Sequence, residues 1–135
     1  MIFAAGEVFI FNTKTWEQEQ HFQSGNSLNY LTLDASGKKL LTCGKYVYSW
    51  DLETGKFQEL KGHKSSIYGA AFHPDGRYAV SSSYDHTVKF WDTQTGRSTL
   101  ALYGFKDELF KTDVLDGGRG IMVTETQGVV HVIRF

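Results

Sequence analysis

The chain has 135 residues, with 14 basic and 15 acidic side chains, 14 glycines, one proline, and 3 Trp, 7 Tyr and 10 Phe. With 41% apolar residues it suits one domain with a real core, and a net charge of −1 excludes charge-driven gripping of a nucleic-acid backbone or an anionic membrane. The single Cys43 excludes an internal disulfide and a cysteine-based metal site.

Along the chain, short alternating or β-branched runs are separated by turn residues. Residues 2–5, 7–11 and 17–22 read as strands, followed by a strand-rich unit over about 27–61. The next unit, 65–103, is the most regular. Its first run, 67–72, stops at His73-Pro74-Asp75-Gly76, where proline holds one turn dihedral and glycine admits a positive φ. Residues 78–83 end at Tyr84-Asp85-His86, 87–91 end at the turn 92–96, and 97–102 complete the unit. The expected strands at the far end are 108–115, 120–126 and 129–135. No stretch keeps a 3.6-residue period, and Thr, Val, Tyr and Phe enrichment favours strands. The expected class is all-β, built of antiparallel meanders.

The runs repeat. Trp50-Asp51-Leu52-Glu53-Thr54-Gly55-Lys56 returns 41 residues later as Trp91-Asp92-Thr93-Gln94-Thr95-Gly96-Arg97. A weaker copy, Phe11-Asn12-Thr13-Lys14-Thr15-Trp16, begins 39 residues before Trp50, and a degenerate one, Ile133-Arg134, follows Trp91 by 42. A second marker keeps step: Asp34-Ala35-Ser36-Gly37, Pro74-Asp75-Gly76 and Asp116-Gly117-Gly118. A period near 40 residues is one supersecondary unit, repeated.

Gly62-His63, the turn His73-Pro74-Asp75-Gly76, the serine-rich run from Ser81 to Asp85, and Trp91-Asp92 together resemble a WD40 repeat. Residues 62–102 match in full, 25–60 in their turns and in Trp50-Asp51, and the flanks by register. The resemblance implies a partial WD40-like β-propeller of four-stranded blades, with strands a to d in each. Blades 25–61 and 62–103 are expected to be complete, 1–24 to supply b-c-d and 104–135 a-b-c. That makes fourteen strands, against the roughly four to eight blades of a closed ring. The expectation is completion by a further copy, a second chain or another segment, since an open arc exposes apolar faces and strand edges.

The resemblance also implies a hydrogen-bonded chain Asp85–His63–Ser81–Trp91 within one blade, a structural role for all four. The same residue types could form a hydrolase triad. Triad serines, however, sit on strained, exposed turns, and Ser81 falls inside an expected strand without nucleophile-elbow glycines. The second repeat has Ser24 at the histidine position and a shorter turn at Cys43-Gly44-Lys45. The fourth has Phe105, Gln127 and Ile133 at the histidine, aspartate and tryptophan positions. Apolar packing and ladder bonds alone are expected to hold these two blades.

Propellers of this family bind partners on the face of the d–a and b–c loops. By register that face should carry Ser66, Tyr68 and Tyr84, then Ser27 and Asn29, then Glu108, Phe110 and Thr126. Tyr68, Tyr84 and Phe110 would form an exposed aromatic group suited to contact, or would simply cover the rim. His21, His73, His86 and His131 show no metal-ligand spacing; His73 and His86 read as solvated turn residues. Lys38-Lys39 and the lysines of 61–64 read as solvated loops. The Gly117-Gly118-Arg119-Gly120 run precedes no helix, so it is no phosphate cradle.

The function implied is a non-catalytic protein–protein interaction scaffold, with a protein or peptide partner and no cofactor, metal, nucleic acid or membrane. No apolar run approaches the ~20 residues of a membrane span. No signal peptide is visible at the start, so the cytoplasm is the expected location. Two alternatives stay open. One is a propeller enzyme or cofactor sensor, to which the likeness of residues 46–56 to quinoprotein repeats points. The other is a purely architectural sector.

Overall fold

A computed structural model describes residues 2–4, 6–23 and 27–135. Ala5, Ser24 and the junction between the first two expected blades lie outside the described residues. Four antiparallel meanders follow one another. The first sheet is β1 (Ile2–Ala4), β2 (Glu7–Phe11) and β3 (Gln18–Gln23). The second is β4 (Leu28–Leu33), β5 (Lys39–Gly44), β6 (Val47–Asp51) and β7 (Phe57–Leu60). The third is β8 (Ile67–Phe72), β9 (Tyr78–Ser83), β10 (Val88–Asp92) and β11 (Arg97–Leu102). The fourth is β12 (Leu109–Leu115), β13 (Gly120–Glu125) and β14 (Val130–Arg134). The fold is an all-β partial propeller, and the sheets are its blades.

The blades stack face to face because successive side chains of a strand point to opposite faces. On β5, Leu40 joins Val8 and Trp50 in the layer between the first and second blades. Its neighbour Leu41 joins Val47, Leu60, Ile67 and Trp91 between the second and third. On β9, Ala79 faces that same layer, whereas Val80 packs with Val88, Leu109, Ile121 and Val123 between the third and fourth. Both faces of an inner blade are therefore core. The first strands β4, β8 and β12 lie side by side, and the approach is closest at Gly69. A Cβ there would stand 2.6 Å from the Thr112 backbone nitrogen and 2.8 Å from the Lys111 Cα.

The Trp-Asp repeat has two separate local causes. The indoles fill the layers, Trp91 fully buried and Trp50 nearly so. The aspartates fold the turn between strands c and d. Asp92 Oδ1 accepts the Gln94 and Thr95 amides at 2.9 and 3.4 Å, and Asp51 Oδ1 accepts those of Glu53 and Thr54 at 2.9 and 3.0 Å. Such Asx turns replace backbone partners that the strand end leaves open. In the first blade Asn12 plays the same part for Lys14 and Thr15. Each turn then needs a residue with positive φ: Gly55 and Gly96 at 72°, but Trp16 at 58° in the first blade.

Two sequence expectations are corrected. Cys43 lies in β5, fully buried, with only Lys45 and Tyr46 in the turn. Burial pushes its thiol pKa up, so it stays protonated, with Sγ 3.6 Å from the Tyr30 carbonyl. His73 is not a free turn residue. It is half-buried, pairs with Asp75 at 3.0 Å and is packed so tightly on Gly118 of the fourth blade that a Cβ there would overlap its ring.

The turn geometry makes a paired prediction. Trp16→Gly should raise stability by about 1 kcal/mol, because an exposed indole in the left-handed region gives up strain and little packing. Gly96→Ala should lower it by at least about 1–2 kcal/mol, since its Cβ would also stand 2.7 Å from the Glu59 carbonyl oxygen of the second blade. Urea unfolding midpoints that do not move in these opposite directions would refute the turn account.

Candidate functional site

A polar chain runs through the third blade. Trp91 Nε1 donates to Ser81 Oγ at 2.8 Å, Ser81 Oγ lies 2.8 Å from His63 Nε2, and His63 Nδ1 lies 2.8 Å from Asp85 Oδ2. One proton arrangement satisfies every member. Asp85 accepts from His63 Nδ1–H, and His63 Nε2 accepts the Ser81 hydroxyl proton, leaving Ser81 a lone pair for the indole. Burial pushes the His63 pKa below its ordinary 6.5, against the pull of Asp85, which keeps the ring neutral near pH 7. Burial alone would raise the Asp85 carboxyl, but hydrogen bonds from Thr87, the Lys64 amide and His63 hold it below the usual carboxylate range. Ser81 is fully buried and the His63 side chain is only 1% exposed. These buried bonds tie the loop before β8 to the turn after β9.

The second and fourth blades have polar staples of their own, contrary to the expectation that packing and ladder bonds alone hold them. In the second, Trp50 Nε1 donates to the buried Thr42 Oγ1 at 2.9 Å. The signal was a hydroxyl residue eight positions before the tryptophan, diagonal to it across a shortened turn, with Thr42 paired to Tyr48 and Leu40 to Trp50. In the fourth, His131 Nε2 pairs with Glu125 Oε1 at 2.6 Å, and the Asp107 amide donates to the other Glu125 oxygen at 3.3 Å. The His131 imidazole, followed by backbone donors, holds the Glu125 pKa low. Here the imidazole comes from strand c and the carboxylate from strand b, so no alignment on His63 and Asp85 finds them.

On the loop face, one backbone device recurs three times. Where strand a pairs with strand b, the register skips one residue at Asn29, at Tyr68 and at Phe110. A bulge of this kind re-aims the extra side chain and twists the strand end. Tyr68 thereby stacks on Tyr84, with centroids 4.4 Å apart, and lies 5.6 Å from Phe110, which is 50% exposed. Asn29 Nδ2 instead donates to the Ile67 carbonyl at 3.1 Å, tying the second blade to the third. Between these blades opens a pocket of about 530 Å³ whose lining includes Ser27, Asn29, Ser66 and Tyr68. Glu108 and Thr126 pair with each other, Thr126 Oγ1 3.4 Å from Glu108 Oε2, and do not line it. Sequence reasoning missed Lys45, Tyr46, Lys64 and Ser65, which do. Lys61 pairs with Glu59 at 3.3 Å, but Lys64 faces the pocket and is not merely a solvated loop charge.

A family profile for the WD domain, G-beta repeat, matches residues 55–92, the stretch from the second blade's last turn to Asp92. The chain belongs to the WD40-repeat family. Its WD40 relatives include mouse (Mus musculus) coronin-7, 39% identical over 74 residues, which are 54% of this chain and 8% of that protein. WD repeat-containing protein SL1-17 of Schistosoma mansoni is 35% identical over 98 residues, 70% of this chain and 33% of its own length. Chicken (Gallus gallus) serine-threonine kinase receptor-associated protein is 28% identical over 102 residues, 73% and 29% respectively. The matched stretch thus spans between 8 and 33% of these relatives. WD40 repeats generally mediate protein–protein contacts as non-catalytic scaffolds. Among the described residues of this WD40 chain, no helix is long and apolar enough to cross a membrane.

The WD40 brace should be costly to cut. His63→Ala and Asp85→Ala should each lose about 1–3 kcal/mol, because either leaves a buried partner unsatisfied; thermal melting of both at the parent temperature would refute the brace. Its pH dependence has a definite sign. His63 binds its proton more weakly folded than unfolded, so its stabilising effect is full above about pH 6.5 and is lost as the pH falls below that. The parent chain should therefore melt at a lower temperature at pH 5.5 than at pH 7.5. His63→Ala should flatten that slope, and an unchanged slope in the variant would assign it to other groups.

Proposed function

We propose that this chain is a non-catalytic docking platform that binds a protein or peptide through the loop face of its second to fourth blades. The observation that carries this reading is the stacked row Tyr84–Tyr68–Phe110 beside an open pocket, because large rings held in place cost little side-chain entropy on binding. Ser27, Asn29 and Ser66 supply polar contacts at the pocket, and Glu108 with Thr126 borders the far end of the row. Family membership supports the same reading. So does the chicken relative, whose name associates that protein with a kinase receptor. No catalytic step, cofactor, nucleic acid or membrane enters the reading, and its setting is the cytoplasm.

A specific observation favours a second element of the proposal, that the arc is one sector of a larger propeller completed by a further copy, chain or segment. Val130 and Val132 on β14 are 55% and 51% exposed, on a strand whose equivalents in the inner blades pack against a neighbour. Blade boundaries at 24/25, 61/62 and 103/104 belong to this proposal.

The docking reading is tested by affinity capture on immobilised chain. Tyr68→Ala with Phe110→Ala should cut retention of a bound protein at least tenfold while leaving the melting temperature within a degree or two, roughly what removing two contact rings implies. Retention unaffected by the double substitution would remove the aromatic row from the interface.

A further inference from the structure

The pocket between the second and third blades has a chemistry of its own. Lys45, from the turn between β5 and β6, and Lys64, from the loop before β8, both line it, and both are exposed. No carboxylate lines it. Among the described residues neither ammonium has a carboxylate within ion-pair distance, whereas Lys38, Lys61, Arg77 and Arg134 do. Beneath the floor, Asp85 is held ionised by His63, Thr87 and the Lys64 amide at 2.6–2.8 Å, so its oxygens are occupied while its negative charge remains. The lining itself is a concavity with two lysine ammonium groups and no carboxylate.

Hydroxyls surround those charges. Ser27, Ser65 and Ser66 line the same space, and the backbone of Ser65 and Ser66 is held from below. The Ser83 hydroxyl bonds to the Ser65 and Ser66 carbonyls at 3.1 and 3.0 Å, and the Tyr84 amide donates to the Ser66 carbonyl at 2.9 Å. The Lys64 amide is fixed on Asp85 at 2.8 Å. These donors sit on braced loops, so little ordering accompanies binding. Several single donors and two point charges suit a tetrahedral dianion with three free oxygens. A planar carboxylate is met best by the fork of an arginine, and no arginine lines the pocket.

We propose that this pocket seats the phosphate of a phosphoserine or phosphothreonine in a peptide whose neighbouring apolar residue lies on the Tyr68–Phe110 shelf. The proposal rests on the docking reading above and names its ligand class. Charge placement favours a peptide over a bilayer or a polyanion. Asp107 and Glu108 lie at the fourth-blade end of the same face, so a broad anionic surface meets carboxylates there, while a single phosphate meets only the lysines. Tyr68 belongs to both pocket and shelf, and its ring is 5.6 Å from that of Phe110. At about 3.3 Å per residue of extended chain, the apolar residue falls about two or three positions from the phosphorylated one.

The test uses the full chain and a synthetic peptide library with one fixed phosphoserine or phosphothreonine and degenerate flanks, read by fluorescence anisotropy beside its unphosphorylated twin. Selected phosphopeptides should bind at least roughly tenfold tighter than their twins, the size of one charge-assisted hydrogen bond. Lys45→Ala and Lys64→Ala should each erase most of that preference with unchanged melting. Lys64→Arg should retain it, which separates lost charge from lost fold. Tyr68→Ala with Phe110→Ala should abolish apolar selection at the neighbouring positions and keep the phosphate preference. Equal binding of both libraries would overturn the phosphate seat while leaving protein docking intact, and binding of neither would overturn both. Inorganic phosphate or phosphatidylserine vesicles binding as tightly as any phosphopeptide would overturn the peptide assignment in favour of a bare anion or lipid site.

Discussion

Everything in this molecule follows from sheets that are core on both faces. A four-stranded meander alone buries too little to be stable, and here each inner one gains its stability by giving even-numbered and odd-numbered side chains to different neighbours. Leu40 and Leu41 are adjacent in sequence yet sit in separate layers. The same constraint explains Gly69. Where three first strands crowd together, the space left between β8 and β12 admits no side chain at all.

Double-sided burial leaves little room for polar groups, and it dictates how each is treated. An indole in such a layer brings an N–H that needs an acceptor, and each of the two buried tryptophans finds a hydroxyl on strand b: Ser81 for Trp91, Thr42 for Trp50. Only the third blade extends the chain outward to His63 and Asp85, bracing its loops from beneath. That brace ends at the Lys64 amide, so interior and loop face are one mechanical unit. The loop face of the third blade is held by the hydrogen-bonded chain below it.

The face itself is made by irregularity. Strand a departs from regular pairing at the same position in three blades, and those departures carry Asn29, Tyr68 and Phe110. One latches two blades together and two build an aromatic shelf. The regular part of the ladder supplies stability, and the bulged end supplies chemistry.

From the sequence alone, the period near 40, the alternating runs and the turn residues determine an all-β stack of meanders. The resemblance to WD40 repeats carried by these motifs implies the hydrogen-bonded set of the best repeat, and by position it places Tyr68, Tyr84 and Phe110 on the loop face. The tertiary structure alone decides what converges from different blades. Lys45 and Lys64 meet in one pocket, Tyr68 reaches Phe110, and His73 packs on Gly118. It also decides that a glutamate and a histidine form a polar staple in the fourth blade, where none was expected. Periodicity encodes position along a strand, whereas these contacts depend on the distance and twist between sheets and on where a bulge turns a side chain, and no spacing in the chain records those.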